Sequence, residues 1–513
     1  MNTQILKEPI PLASLLGNRL FQLIFLAYSS SLVFLGRHGG MGVSNFDDAF
    51  YAQKAKEILA SGSLWIINYH GEPSLENPPF PLWMMALAFK WFGISDYTVA
   101  LPSALFGVAT VLLTYQFTEY LFNDRWTAFL SGLILVFPGF FVDYSRRGMV
   151  DVTLTFLVTA ALFCFIRGGK VRYLFFGLFT GLAVLTKSVL GFFPLIIAFA
   201  YSVLARPDPA GRAFAPLRNI YFWAGATIAL DLGSSWYFVN TLELGEWFTR
   251  GHFSWLLFHR AITGTDSLRV VPKVNPLFFL GYLKSLWENY WPWIPFAFIG
   301  VGVFAKKAFQ GKDNRHLFIF LWITIIFIVM SISKTQALRY IMTIFPALAI
   351  LTAQTISGWV SDSRKVTLTP YMVGTIMVAV LFVNATAIEV RQSVSLSQNS
   401  LSVRHLAPVI HINTPPGESV GNYRLTDWNP RNAVIFYSDR YLSNTVHDED
   451  DLMRKLAMRP LSTWLTTAAE FANLKKKYPE FYLIEGDEKY AYFTTAQNRE
   501  NISYDLSGWR EIR

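Results

Sequence analysis

The 513-residue chain has little charge: Asp, Glu, Lys and Arg make up 15% of it, against roughly a quarter in a soluble domain. Hydrophobic residues reach 53%, and the mean hydropathy is +0.33. Together these exclude a disordered or fibrous chain and a purely soluble enzyme. Cysteine is almost absent: Cys164 stands alone, which excludes an intramolecular disulfide and a cysteine-rich metal site. There is no internal repeat and no low-complexity stretch, so the repeat signature of many transporters is missing. No cleavable signal peptide is evident. The run 20–35 follows a polar start, lacks a small-residue cleavage site and reads as a retained first span. What remains is a series of long apolar runs, and the chain reads as a polytopic α-helical membrane protein.

A helix that crosses a bilayer needs about 17–25 apolar residues. Such runs fall near 20–37, 97–122, 126–144, 150–167, 172–187, 189–205, 220–240, 289–305, 316–333, 339–360 and 371–389. The shorter runs 80–93 and 277–288 read as interfacial helices or two more spans, so the expected total is about 11–13. With eleven spans, four basic loops share the side of the N-terminus: Arg167/Lys170/Arg172, Arg206/Arg212/Arg218, Lys306/Lys307/Lys312/Arg315 and Arg364/Lys365. The positive-inside rule makes that side cytoplasmic. Loops 38–96, 145–150, 241–288 and 334–338 then lie outside. The net charge of +9 fits such loops and anionic lipid phosphates, with no call for nucleic acid. The expected organisation is a membrane domain over 1–390 and an extracytoplasmic α/β domain over 391–513. In the latter, Ala433-Val434-Ile435-Phe436-Tyr437 and Phe481-Tyr482-Leu483-Ile484 read as strands and 468–477 as a helix.

Three outside segments carry residues suited to chemistry. The first reads Asn45-Phe46-Asp47-Asp48-Ala49-Phe50-Tyr51-Ala52. Two acids that open a helix complement its dipole, and a carboxylate fixed beside the membrane also suits a general base. The same loop continues Leu75-Glu76-Asn77-Pro78-Pro79-Phe80-Pro81-Leu82-Trp83. Its prolines favour an extended path into an apolar helix that suits the interface. The third, Tyr144-Ser145-Arg146-Arg147-Gly148-Met149-Val150-Asp151, puts two arginines on the side expected to be poor in them. They read either as snorkelling side chains or as a phosphate site, and Asp151 as a helix cap or a functional acid. Asp231, within the run 220–240, reads as an acid buried in the membrane: a site candidate, or interhelical glue with Ser234 and Ser235.

In order and spacing these motifs resemble the GT-C glycosyltransferases. The likeness is strongest to the branch that contains bacterial aminoarabinose transferases of lipid A and the protein O-mannosyltransferases, and it covers residues 1 to about 390. The resemblance implies a bacterial inner-membrane enzyme, multi-pass, with a cytoplasmic N-terminus and an extracytoplasmic tail. It implies a polyprenyl-phosphate sugar as donor and a lipid A-like glycolipid, a glycan or a protein as acceptor. Asp47 maps to the base, with Asp48 beside it, and Asp151 to the acid after the third span. Glu76 maps to a residue near a bound divalent metal (Zn, Mn or Mg), joined by a histidine of the 241–288 loop, His259 or His252. Relatives carry a lysine near the donor phosphate where this chain has Asn77. The phosphate then falls to Arg146, Arg147, Lys334 and Arg339, with Tyr340, in a segment that resembles the family's late Lys-to-Tyr pattern. Tyr51 and Asn77 are expected to contact substrate. A transporter or flippase for lipid-linked sugars is the rival reading. It leaves the acids at the outer membrane edge unexplained.

Overall fold

The computed structural model describes residues 17–36, 43, 47–207, 215–253, 280–311, 313–333, 336–362, 400–426 and 428–506. His259, Lys334 and the run 371–389 lie outside the described residues. The membrane part begins with α1 (Arg19–Leu35), started by Asn18, whose side chain accepts from the amides of Leu20 and Phe21. Leu20, Ile24, Tyr28 and Leu32 recur every fourth residue and are exposed, a stripe for lipid, while Leu26, Ser30 and Phe34 face inward. After it come α2 (Asp47–Ser61), a two-residue ribbon of β1 (Asn68–Tyr69) and β2 (Glu72–Pro73), and α3 (Phe80–Phe92).

The bundle continues with α4 (Asp96–Phe122), α5 (Arg125–Leu135), α6 (Gly139–Ser145), α7 (Val150–Arg167), α8 (Lys170–Lys187), α9 (Phe193–Leu204) and α10 (Ile220–Phe248). It closes with α11 (Leu280–Asn289), α12 (Ile294–Phe309), α13 (Asn314–Ile332), a 3-10 turn (Leu338–Ile344) and α14 (Phe345–Asp362). Among the described residues, five stretches are long and apolar enough to cross a membrane, or six if the bent pair α5–α6 counts as one span. One of the five, Lys170–Leu204, is a hairpin, because Tyr173 near one end and Tyr201 near the other both meet the Phe165 ring. The expected straight span over 126–144 is broken by 70° between α5 and α6. Pro138, the residue before α6, has no amide hydrogen to continue the ladder, and Gly139 follows it. The run 80–93 forms a helix of only 13 residues, short of a crossing, and the described part of the run 277–288 forms a helix of 10.

Small residues draw α8 and α10 together. A Cβ on Gly177 would lie 1.9 Å from the Gly225 carbonyl oxygen, and one on Gly225 2.1 Å from that of Tyr173. Asp231, on the same helix α10, is exposed on the outer side of the bundle and is not buried as expected. Ser234 and Ser235 donate to carbonyls of their own helix, so they do not glue helices together.

The described residues of three of the basic loops gather at one end; Arg212, Lys312, Arg364 and Lys365 lie outside the described residues. Arg19 and Arg125 both pair with Glu119, and Arg167 covers the Tyr120 ring. Arg315 reaches the carbonyl of Leu121, and the Arg206 backbone exchanges two hydrogen bonds with Asn314. The acidic helix starts of α2 and α7 lie at the opposite end.

The tail builds a mixed sheet flanked by helices: α15 (Ser400–Asn413), β3 (Ser419–Tyr423), α16 (Trp428–Ser438), β4 (Tyr441–Val446), α17 (Glu449–Met458), β5 (Trp464–Thr467), α18 (Ala468–Lys477), β6 (Phe481–Gly486) and β7 (Tyr490–Thr495). The strand order is β4-β3-β5-β7-β6, with β3 parallel to both neighbours and β7 antiparallel to both of its own. The expected strand at 481–484 and helix at 468–477 are present. The expected strand at 433–437 is not: those residues belong to α16. Pro430 in its first turn suits a helix start, and burial on every side removed the polar face that would have marked a helix.

Helix α16 lies along α2, and the contact is polar as well as apolar. The buried Tyr437 hydroxyl donates to Asp96 Oδ1 (2.7 Å) and accepts from the amide of Val43 (2.6 Å). Arg404 pairs with the other oxygen of Asp96 (3.2 Å), and Lys56 of α2 pairs with Asp439 (2.9 Å). Tyr437→Phe removes one donor and one acceptor from buried groups. It is expected to lower stability by about 1–3 kcal/mol, read as a fall in the unfolding midpoint of the full chain in detergent. An unchanged midpoint would contradict this role.

Candidate active site

Asp47 is the first residue of α2, where the helix dipole favours its negative charge. Its Oδ2 lies 3.0 Å from Nη1 of Arg339, which belongs to the 3-10 turn before α14, and both side chains are about one-fifth exposed. Burial raises the Asp47 carboxyl above its ordinary pKa, and Arg339 opposes the rise. Asp48 points elsewhere. It is buried, and its Oδ1 accepts from the Ala49 amide at 2.8 Å, which ties it to the helix start. Tyr51, one turn after Asp47, is buried, and its phenol is pushed well above its usual pKa by burial and then by the charges of Asp47 and Asp151.

Asp151 is the second residue of α7. It is not the cap of that helix: Met149 holds that position and makes no side-chain cap bond. The Asp151 carboxylate is only 1% exposed and pairs with Lys187 at the end of α8. The Lys187 ammonium also sits 4.9 Å from the centre of the Tyr340 ring. The Tyr144 hydroxyl lies beside Arg339, which links α6 to the same cluster. The structure therefore brings Asp47, Asp151, Lys187, Arg339 and Tyr340 together from four separate elements. The two arginines read as a phosphate pair sit differently. Arg147 pairs with Asp143 one turn earlier (3.1 Å), and Arg146 is buried at the end of α6.

The Glu76–Asn77 turn lies near α2, close enough for the charge of Glu76 to act on Asp47, Tyr51 and Lys54. Asn77 takes a left-handed conformation (φ 61°), which asparagine tolerates better than most residues. Its Oδ1 accepts from Lys54 Nζ at 3.1 Å. The second outside loop is locked onto the same turn: a Cβ on Gly251 would lie 2.1 Å from a methyl of Leu75. His252 Nδ1 lies 2.6 Å from the Leu75 carbonyl oxygen, so that nitrogen carries the proton and donates. The ring stacks on Phe248 with Trp236, Tyr237 and Phe253 around it, and burial lowers its pKa. Its buried Nε2 has no hydrogen-bond partner among the described residues. A neutral histidine whose other nitrogen donates to a carbonyl is set up as a metal ligand, and Glu76 follows that carbonyl in the chain. No group of three or more His, Cys, Asp or Glu side chains suited to a metal occurs among the described residues.

Lys54 and Lys187 were not among the expected site residues. Lys54 sits seven residues after Asp47, on the face that also carries Tyr51, and that spacing was the available signal. Lys187 ends an apolar run, where a lysine reads as a snorkelling side chain.

Comparison with known proteins agrees with this architecture. The family described as dolichyl-phosphate-mannose-protein mannosyltransferase matches residues 76–237. An uncharacterized protein of Aquifex aeolicus is 30% identical over 322 residues, covering 60% of this chain and 58% of that protein. The undecaprenyl phosphate-alpha-4-amino-4-deoxy-L-arabinose arabinosyl transferase of Aeromonas salmonicida is 23% identical over 62% of this chain and 57% of its own length. The matched region thus spans less than three-fifths of these curated relatives. Among solved structures, ArnT from Cupriavidus metallidurans bound to undecaprenyl phosphate is similar over 96% of this chain and 100% of that one, with a TM-score of 0.69 at 16% identity. The Archaeoglobus fulgidus oligosaccharyltransferase in complex with Zn and sulfate is similar over 82% of this chain and 62% of that one, with a TM-score of 0.56 at 15% identity. The chain has the polytopic GT-C fold with a sheet-containing C-terminal domain.

Proposed function

We propose that this protein is a membrane glycosyltransferase that moves a hexosyl or pentosyl group from a polyprenyl-phosphate donor to an extracytoplasmic acceptor. The observation that supports it best is the cluster at the end of the bundle remote from the basic loops: two helix-start carboxylates, Asp47 and Asp151, each paired with a cation, Arg339 and Lys187. Positive-inside orientation puts that end outside the inner membrane, level with a donor phosphate in the outer leaflet. Arg339 and Lys187 bind the phosphate and hold the leaving charge. Asp47 takes the proton of an acceptor hydroxyl as it attacks the sugar carbon; for a phosphate acceptor it orients the attack instead. Asp151 holds Lys187 in place.

The description of the matching family names protein as one class of acceptor; a glycolipid or a glycan is the other class proposed for this chain. Membranes with and without the chain, given a radiolabelled polyprenyl-phosphate sugar, are expected to differ by label moved to a glycolipid, glycan or protein. Label that stays on the donor in both would overturn the reading.

A divalent ion would be held by Glu76 and the Nε2 of His252, with His259 as a further candidate, and would supply charge stabilisation at the leaving phosphate. Two protein ligands bind weakly, so the ion is expected to be lost on stringent chelation. Turnover should then fall and recover on adding zinc or manganese back, and Glu76→Gln should purify without metal. Unchanged turnover after chelation, with no ion found in the wild type, would remove the metal from the account.

A further inference from the structure

The Lys54 side chain is fully buried on α2, 0% exposed. It follows Asp47 by seven residues and Tyr51 by three, so the three side chains share one helix face. Its Nζ donates to Asn77 Oδ1 (3.1 Å) and to the Glu76 carbonyl oxygen (3.4 Å), and stands 3.9 Å from the centre of the Phe50 ring. All of these partners are neutral. Among the described residues no carboxylate forms an ion pair with it, although Glu76, Glu57 and Asp47 act on it from further away. An ammonium held this way is costly, because neutral acceptors do not replace the hydration it gave up. An apolar residue of similar length would pack there more cheaply. Its ammonium meets the Glu76–Asn77 turn and is close enough to Asp47 for that charge to act on it.

We propose that Lys54 binds an anionic phosphate oxygen of the donor, as a cation of the transfer site beside Arg339 and Lys187. The proposal rests on the polyprenyl-phosphate reading above. Asn77 and the Glu76 carbonyl then aim the ammonium without neutralising it, which leaves its charge for the ligand.

The test is binding to the purified full-length chain in detergent, with three probes: undecaprenyl phosphate, undecaprenol and inorganic phosphate. Lys54→Gln keeps a donor for Asn77 and loses the charge. It is expected to weaken undecaprenyl phosphate binding about tenfold or more and to leave undecaprenol binding unchanged, the size expected for one charge-assisted hydrogen bond. Lys54→Arg should stay within a few-fold of wild type. Inorganic phosphate binding lost in step with that of the lipid would place the subsite at the phosphate itself, independent of the tail.

Lys54→Gln that binds undecaprenyl phosphate as wild type does would overturn the proposal. So would a loss of undecaprenol binding of the same size, which marks a role in holding the turn. If Lys54→Gln does not fold, the double variant Lys54→Met/Asn77→Lys returns the charge to the same turn and should bind undecaprenyl phosphate better than Lys54→Met alone; equal binding would overturn it. Wild-type protein that prefers undecaprenyl phosphate no more than undecaprenol would bring down the donor reading itself, and this proposal with it.

Discussion

Asp47→Asn is expected to reduce turnover about 100-fold or more while donor binding and folding stay close to wild type. Asparagine keeps the size of the side chain and its place at the start of α2, and loses only the negative charge and the ability to accept a proton. A positioned base contributes about 10²–10⁴-fold, which sets the size of the loss. The pH profile sharpens the test. Burial raises the Asp47 carboxyl above its ordinary pKa, so its base form disappears at a higher pH than that of an exposed aspartate. Wild-type turnover should fall on the acid side as pH drops through that raised value, and the residual turnover of Asp47→Asn should lack this limb. Asp48→Asn should be milder, because Asp48 is bound into the helix start by the Ala49 amide. Near-normal turnover by Asp47→Asn with a hydroxyl acceptor would remove the base role.

Arg339→Met should be as damaging, by a different route. Arg339 pairs with Asp47 at 3.0 Å, and its partly buried guanidinium can offer two parallel donors to a phosphate. Losing one preorganised donor to a developing charge costs about 100- to 1,000-fold in turnover. Methionine also leaves Asp47 without its cation, which pushes its carboxyl further up. Arg339→Met should therefore shift the acid limb to higher pH as well as lower the plateau. Arg339→Lys keeps the charge without the two-pronged geometry and should fall between wild type and Arg339→Met. A variant with a lowered plateau and an unmoved acid limb would separate Arg339 from Asp47 in function.

The acids were the legible part of this site. Asp47 and Asp151 stand at helix starts just after apolar runs, where a charge must have a reason, and the structure gathers them at one end of the bundle. Their partners were harder to read. Lys54 lies in Gln53-Lys54-Ala55-Lys56-Glu57, which looks like a solvated helix face. Only the fold buries it, by bringing the Glu76–Asn77 turn onto its ammonium. Lys187 pairs with Asp151 across a gap of 36 residues, and no local pattern records that.

The fold shows the same division. Among the described residues, the apolar runs correspond to helices of the bundle, while the break at Pro138-Gly139 is hidden because the apolar run continues through it. In the tail, Phe481 to Ile484 reads correctly as a strand, since its sheet leaves one side partly open. Residues 433–437 are buried on every side between the sheet and α2, so period could not separate helix from strand.

The most direct test of the central claim follows both halves of a donor. The purified full chain is reconstituted in vesicles made with extracted membrane glycolipid and protein as acceptors, together with an undecaprenyl-phosphate sugar labelled separately in the lipid and in the sugar. Free undecaprenyl phosphate and labelled acceptor are then measured together. The transfer account predicts that the two appear in equal amounts with wild-type protein and that both fall about 100-fold or more with Asp47→Asn. Movement of the intact lipid-linked sugar across the vesicle membrane, with no undecaprenyl phosphate released, would contradict it.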